Sequence, residues 1–368
     1  MNLRHTAHSN CVLALLAICF LLPSCRPVPA APTPTVAPEL NGNWVQVFFT
    51  DPAAPMAQTY TGGPDELLVD AIGKARLAVD VAAYSLNLWS VRDALIDAHR
   101  RGVVVRMVME SDDMDVSEVQ ELVDAGIPIV GDRREGLMHD KFVIIDRSEV
   151  WTGSMNFTVS GTYKDNNNLV RILSTQVAQD YTTRFDDMFA EDRFGPDAVA
   201  NTPYPTLTVQ GNLVEVLFSP ADGVARRLLQ LVNNAQESID FLAYSFTSND
   251  LGAALLRRAD DGVAVRGVMD DGQVKTNQGT EYDPFLQAGL DVRLDGNTDG
   301  LMHDKVMIID RRIVVTGSYN FTFSAETSND ENIVIFYDPG VAAQFLAEFQ
   351  RIFEQAPPAY KVPSVQGE

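Results

Sequence analysis

Cysteine is nearly absent from this chain of 368 residues, and its placement is informative. All three cysteines (Cys11, Cys19 and Cys25) fall within the first 25 residues. The remainder therefore has no thiol nucleophile, no Cys-based metal site and no disulfide, so an exported form must be held by its core alone. Histidine is scarce too: after the first ten residues only His99, His139 and His303 occur, which excludes a His-rich metal cluster. Positive charge is also short. Lys and Arg number 28 against 50 Asp and Glu, a formal net charge of −22. So acidic a chain repels polyanions at long range, which counts against a nonspecific nuclease and against anionic membrane surfaces unless a local basic groove overrides it. What is present, 46% apolar and 21% charged residues, is the composition of a globular protein with a substantial core.

The apolar run Cys11–Leu22 has the length of a signal-peptide core and is too short for a transmembrane span. It ends in Leu22-Pro23-Ser24-Cys25, which resembles the bacterial lipobox. That resemblance implies a lipoprotein-type signal peptide over residues 1–24, lipidation of Cys25, and an extracytoplasmic protein anchored to a membrane by its lipid. The alternative is a plain secretory signal cut at Ala30 or Ala31 and a secreted protein. Residues 25–43, rich in Pro, Ala and Thr, read as a spacer, with folded structure starting near Trp44.

From there the chain reads twice. GLMHDKFVIIDRSEVWTGSMNFTVSG (136–161) and GLMHDKVMIIDRRIVVTGSYNFTFSA (300–325) share 18 of 26 residues at an offset of 164. Upstream, AVDVAAYS (78–85) matches SIDFLAYS (238–245). In each copy a buried-strand pattern (78–83, 239–243) precedes a helical stretch (88–101, 250–260) and a second strand (103–109, 263–269), an α/β layered pattern. The expected organisation is a unit over 44–201, a second over 202–356 with its seam at 202–211, and a tail over 357–368.

His139 and Lys141 are two residues apart in a β-prone run, 138–145, and should project from one face of a strand; so should His303 and Lys305. Each run leads into Gly-Ser-x-Asn. Gly153 and Gly317 would permit close backbone approach, and Ser154, Asn156, Ser318 and Asn320 would offer donors. Two lysines can neutralise a phosphodiester, side-chain donors can hold its oxygens, one imidazole can attack phosphorus and the other can serve as acid and then base. No metal or cofactor is required by that chemistry. Asp146 and Asp310 read as structural supports.

The pattern H-x-K-x4-D followed by x6-G-S-x-N resembles the phospholipase D superfamily, both copies matching in full over nearly all of 44–353. The resemblance implies two units packed about a pseudo-two-fold axis, both motifs in one site, no metal, and a monomer that is an internal pseudo-dimer. It also implies attack by the N-terminal histidine, here His139. The copies differ 28 residues past each histidine, where Glu331 stands opposite Asn167. Paired within its own copy, Glu331 would favour a protonated His303 as acid and leave His139 as nucleophile, with Asp165 a substitute acid in the first copy. Glu110–Asp115 reads as a solvated acidic loop, His99 as a structural residue, and 270–282, which lacks a counterpart of matching sequence, as a segment bordering the site.

Three functions follow as expectations. The first is a phospholipid headgroup phosphodiesterase, the second a nuclease on the same scaffold, the third an idle binding module. Lipid anchoring makes one direct prediction: Cys25→Ser should release the protein from membranes, because stable anchoring requires the acyl chains. Fractionation of the variant with membranes as in the wild type would refute the lipobox reading.

Overall fold

The computed structural model describes residues 44–358; the expected signal peptide over 1–24, the expected lipidation site Cys25, the expected spacer over 25–43 and all but the first two residues of the expected 357–368 tail lie outside the described residues. Alternation of apolar strands and amphipathic helices produces, in the first half, β1 (Val45–Phe49), α1 (Pro64–Lys74), β2 (Ala78–Ala83), α2 (Trp89–Arg100), β3 (Val104–Met109), α3 (Ser117–Asp124), β4 (Ile129–Gly131), β5 (Lys141–Ile145), β6 (Glu149–Gly153), α4 (Val159–Tyr163), β7 (Asn168–Leu173) and α5 (Thr175–Phe189). The second half repeats the order with one added edge strand: β8 (Thr206–Val209), β9 (Asn212–Ser219), α6 (Val224–Asn234), β10 (Ser238–Ala243), α7 (Asn249–Asp260), β11 (Ala264–Met269), α8 (Asp271–Thr276), α9 (Tyr282–Gln287), β12 (Asp291–Leu294), β13 (Lys305–Ile309), β14 (Ile313–Gly317), α10 (Phe323–Thr327), β15 (Glu331–Tyr337) and α11 (Pro339–Gln355). Among the described residues no helix is long and apolar enough to cross a membrane.

Each half builds its own mixed sheet, ordered β1-β7-β6-β5-β2-β3-β4 and β12-β11-β10-β13-β14-β15-β9-β8. One face of each sheet turns to a shared core that also takes α5 and α11, through Tyr181, Phe185, Phe345 and Phe349. The outer faces are covered separately, by α1–α3 on the first sheet and by α6, α7 and α9 on the second. Both halves, over the described residues 44–358, thus lie in one compact unit.

The stretch expected as the seam, 202–211, carries β8, the first strand of the second half: Leu207 and Val209 face inward, Thr206 and Thr208 outward, and β8 returns into β9 through Gln210-Gly211, both at positive φ. One sequence expectation needs correction. The strand expected over 138–145 begins only at Lys141. Met138 leaves the sheet and bridges Asp330 of the other half.

The motif aspartates close the hairpins that carry the lysines. Asp146 and Asp310 both sit at φ 50°. The Asp310 carboxylate accepts from the backbone N–H groups of Gln236, Glu237 and Ser238 at 2.7–3.1 Å. Asp146 does the same for Arg76, Leu77 and Ala78. Burial alone would raise the Asp310 carboxyl, but those three donors and Arg312 outweigh it and hold it below its ordinary value. A depressed folded-state pKa stabilises the fold above the unfolded pKa, and the effect is lost as pH falls through the folded value. Asp310→Ala should therefore cost about 2 kcal/mol at pH 7, and the gap from wild type should narrow below about pH 4. Denaturant titrations at the two pH values check both statements; a pH-independent gap would contradict the ionic part.

Candidate active site

The segments before β5 and β13 do not stay with their own sheets. His139 N–H donates to Asp330 O at 3.0 Å, and His303 N–H donates to Asn166 O at 2.9 Å. Each motif histidine is thus threaded against the segment that leads into β7 or β15 of the opposite half. The side chains follow the backbone. His139 Nδ1 lies 2.7 Å from Glu331 Oε2, and His303 Nδ1 lies 2.9 Å from Asn167 Oδ1. This overturns the expectation that Glu331 backs His303: the acid stands behind His139, and the amide stands behind His303. Reciprocal contacts of this kind are the signature of a two-fold relation between the halves.

The amide orientation of Asn167 is fixed by its own bonds. Its Nδ2 donates to Gly161 O at 2.8 Å, and its Oδ1 accepts from Ser154 Oγ at 2.8 Å. His303 Nδ1 must then carry the hydrogen, which leaves Nε2 as the reactive nitrogen. Glu331 plays the same part for His139, with the Ser318 hydroxyl bonded to its carboxylate. Ser154 and Ser318 are fully buried and also accept from the N–H groups of Asn168 and Asn332. Their hydroxyls are thereby committed to the scaffold and hold the histidine partners, in place of the expected phosphate contact. Gly153 and Gly317 permit this: a Cβ there would lie 2.3 and 2.2 Å from the carbonyl oxygens of Asn168 and Asn332.

Lys141 and Lys305 are buried, and each ammonium donates to the carbonyl oxygen of its motif histidine at 2.5 Å. Tyr84 and Tyr244 wall the site. Their ring centroids lie 5.0 and 4.6 Å from the rings of His139 and His303, and Lys141 and Lys305 sit over them at 5.0 and 4.7 Å. Asn156 and Asn320 are half-buried, and the buried Oδ1 atom of each has no hydrogen-bond partner among the described residues.

A second crossed layer lies beneath the first, built from residues the sequence analysis left unassigned. Asp140, between His139 and Lys141, accepts from Asn332 Nδ2 at 2.7 Å; Asp304 accepts from Asn168 Nδ2 at 2.7 Å. Thr152 and Thr316 hydroxyls donate to the carbonyl oxygens of the same two amides at 2.8 Å. The only sequence signal was that Asp140, Asn168 and Thr152 recur at the motif offset.

Burial dominates the electrostatics. It lowers both histidines well below their ordinary value, with Lys141 and Lys305 adding to the effect. In the free protein this favours the neutral imidazole at both positions. Burial also brings Lys141 down to about 7, with Glu331 and Asp140 opposing, and lowers Lys305 well below its ordinary value, with Lys141 adding to the effect. Burial pushes the Glu331 carboxyl up to about 8, outweighing the opposing effects of Lys141 and the Ser318 hydroxyl. Asp140 and Asp304 rise to about 7 and about 6 for the same reason, as does Asp165 to about 6.

The remaining sequence candidates fall around this centre. The Asp165 carboxylate accepts from Leu301 N–H at 3.0 Å, and its contact is with that backbone rather than with a histidine. In the acidic loop Glu110 is buried and accepts from Met138 N–H at 2.9 Å, mirrored by Asp270 and Met302 N–H at 3.1 Å. The 270–282 segment carries α8, whose Gln273 donates to the Tyr244 hydroxyl at 3.1 Å, so it borders the site. His99 sits half-buried in the last turn of α2, away from both motifs. No group of three or more potential metal ligands occurs among the described residues.

Comparison with known proteins places the two halves in one family. Residues 68–189 and 228–353 each match the family model described as cardiolipin synthase, PLD-like domain. A mitochondrial cardiolipin hydrolase of Chlamydomonas reinhardtii is 36% identical over 128 residues, which is 35% of this chain and 56% of that protein. A phospholipase D of Rickettsia prowazekii is 35% identical over 133 residues, 36% of this chain and 64% of its own length. The chain thus spans between half and two-thirds of the length of these relatives. The phosphatidylserine synthase of Haemophilus influenzae shares the fold across both halves, with a TM-score of 0.66 at 14% identity over 85% of this chain and 87% of that one. With one PLD-like domain in each half, the chain belongs to the phospholipase D superfamily.

Proposed function

We propose that the protein is a metal-independent phosphodiesterase that cleaves phospholipid headgroups through a phosphohistidine. The observation that carries this reading is the crossed pairing, which holds two imidazoles with Nδ1 occupied and Nε2 free beside two buried lysines.

The steps follow from the charges. A phosphodiester anion between Lys141 and Lys305 has its charge neutralised, which removes the repulsion that protects phosphorus. His139 Nε2 attacks; the P–N bond forms as the P–O bond to the leaving alcohol breaks. The positive charge that develops on the phosphorylated ring is met by Glu331 at Nδ1. His303, protonated at Nε2 in the bound complex, gives its proton to the departing oxygen; a low intrinsic pKa makes it an effective acid. The neutral ring then takes a proton from water, the water oxygen bonds to phosphorus, the P–N bond breaks, and His139 is restored. Assignment of His139 as nucleophile thus rests on stabilisation of the phosphorylated ring by Glu331, in place of the same-copy argument from sequence. Asn156 and Asn320, with unused buried oxygens and amide donors, are positioned beside the motifs to orient the phosphate.

Phospholipid is favoured over nucleic acid by the charge around the site. Tyr84 lies in the field of Asp113, Glu110 and Asp112, and Tyr244 in that of Asp270 and Asp165. Such a mouth accepts one phosphodiester more readily than a polyanionic strand. Side-by-side assay on phosphatidylcholine vesicles and single-stranded DNA should favour the lipid; cleavage of DNA alone would select the nuclease reading.

Three outcomes test the chemistry. Activity should survive EDTA, because the lysines supply the cationic charge; loss to chelator with rescue by one divalent ion would contradict it. His303→Ala should still become phosphorylated on His139 by a nitrophenyl phosphodiester, whose leaving group needs little protonation, whereas His139→Ala should form no adduct. A wild-type adduct on His303 would reverse the roles. In the free protein Lys141 titrates at about 7, so kcat/KM should fall as pH rises through that range. Bound phosphate favours the ammonium form, so the alkaline limb of kcat should lie at higher pH than that of kcat/KM. Coincident limbs would mean that the lysine does not meet the phosphate.

A further inference from the structure

We infer that the edge of the molecule carrying the motifs docks onto a zwitterionic lipid–water interface through Tyr60, Trp89 and Phe323. The inference rests on the phospholipid reading above and adds the surface by which such a substrate is reached.

Strand register defines the edge. Lys141 pairs with Ala83, Gly153 with Leu169, and Phe49 with Asn168, so the ends of β1, β2 and β6 meet the starts of β5 and β7 at the motif histidines. Tyr60 lies in the segment between β1 and α1, Trp89 opens α2 directly after the turn leaving β2, and Phe323 opens α10 after β14. Among the described residues these are the three aromatic side chains in the set of exposed large apolar residues, with exposures of 53%, 64% and 78%, and Met56 and Leu301 join them on the same edge. The other exposed large apolar residues among the described residues, Leu67, Leu77, Val104, Val123, Val199 and Leu213, are all aliphatic, and Leu77, Val104 and Leu213 lie at the opposite strand ends. Such segregation is what an interfacial surface needs, since Trp and Tyr settle at the headgroup boundary and large exposed apolar side chains are costly in water.

A second observation comes from a difference between the halves. In the first half the Tyr163 phenol donates to Asp65 at 2.8 Å and fills the space between α1, α2 and α4. Thr327 and Ala225 stand in the equivalent places of the second half, where Glu326 accepts from the Ala225 N–H and the Tyr319 hydroxyl, and a cavity of about 430 Å³ opens beside Phe323 with Leu228, Leu229, Leu251 and Phe321 on its apolar side and Asp250, Thr322 and Glu326 on its polar side. Its apolar side adjoins Phe323 and extends the exposed apolar surface there. Charge selects the kind of surface. The protein is strongly acidic, and Asp112, Asp113 and Asp115 follow β3 on this same edge, so an anionic bilayer is repelled whereas a zwitterionic one is not.

Intrinsic fluorescence offers a clean reporter. Of the three tryptophans, Trp44 and Trp151 are buried and only Trp89 is exposed. Vesicles of brominated phosphatidylcholine should quench and blue-shift the wild-type emission. Phe323→Ala, followed by quenching, and Trp89→Ala, followed by sedimentation, should each weaken vesicle affinity about tenfold and raise the apparent KM on vesicles. Their kcat/KM on a soluble nitrophenyl phosphodiester should stay unchanged. Absence of quenching, equal affinity of the variants, or tighter binding to phosphatidylglycerol than to phosphatidylcholine would overturn the inference. The two readings fail separately: a protein that cleaves dispersed short-chain phosphatidylcholine but shows no quenching refutes only the docking surface, whereas one that binds vesicles but cleaves no phosphodiester refutes the proposed function.

Discussion

Each reactive histidine is held by a residue of the other half, and the organisation of the centre depends on that exchange. Glu331 fixes His139 and Asn167 fixes His303, while the backbones of the same segments bridge across at Met138–Asp330 and Asn166–Met302. Neither half contains a complete histidine with its partner. The duplication therefore supplies the other side of a single site, and the copies are free to diverge at 167 and 331, where one position became acidic and the other neutral. That divergence makes chemically unequal two imidazoles that occupy equivalent places.

Such a centre is costly to bury. Two lysines, two histidines and four carboxyl groups (Asp140, Asp304, Glu331 and the nearby Asp330) are all withdrawn from water. Uncompensated, each buried charge costs several kcal/mol, and much of the compensation comes from the other half: Asn332 and Asn168 bond Asp140 and Asp304, while Arg134 and Arg184 flank Asp330. The cationic side remains under-compensated, with both lysines lowered by burial and by their mutual repulsion for Lys305. An anion between them would supply the missing charge, so the property that weakens the lysines in the free protein favours an anionic ligand there.

Much of this was legible in the sequence because it is local. Apolar runs placed β2, β3, β10 and β11 within about a residue, and the repeated motif located His139, Lys141, His303 and Lys305 without any knowledge of the fold. The partner of each histidine was not legible. Both Glu331 and Asn167 lie 28 residues past a histidine, and identical spacing in two copies carries no information about exchange between them. The strand expected over 138–145 starts late for the same reason: Met138 and His139 pair with the opposite half, which local β propensity does not show. Ser154 and Ser318 read as phosphate donors because hydroxyl chemistry is visible in sequence, whereas their complete burial is a consequence of packing.

The central claim is the exchange itself, and the Nδ1 proton of His139 reports on it. In proton NMR of the protein with 15N-labelled histidine, that proton should resonate far downfield, because it is held against a buried carboxylate. The account predicts that Glu331→Ala removes or strongly shifts the signal of His139 while Asn167→Ala leaves it in place and perturbs His303 instead. The opposite pattern, with His303 responding to Glu331→Ala and His139 to Asn167→Ala, would show that each half orients its own histidine and would contradict the account.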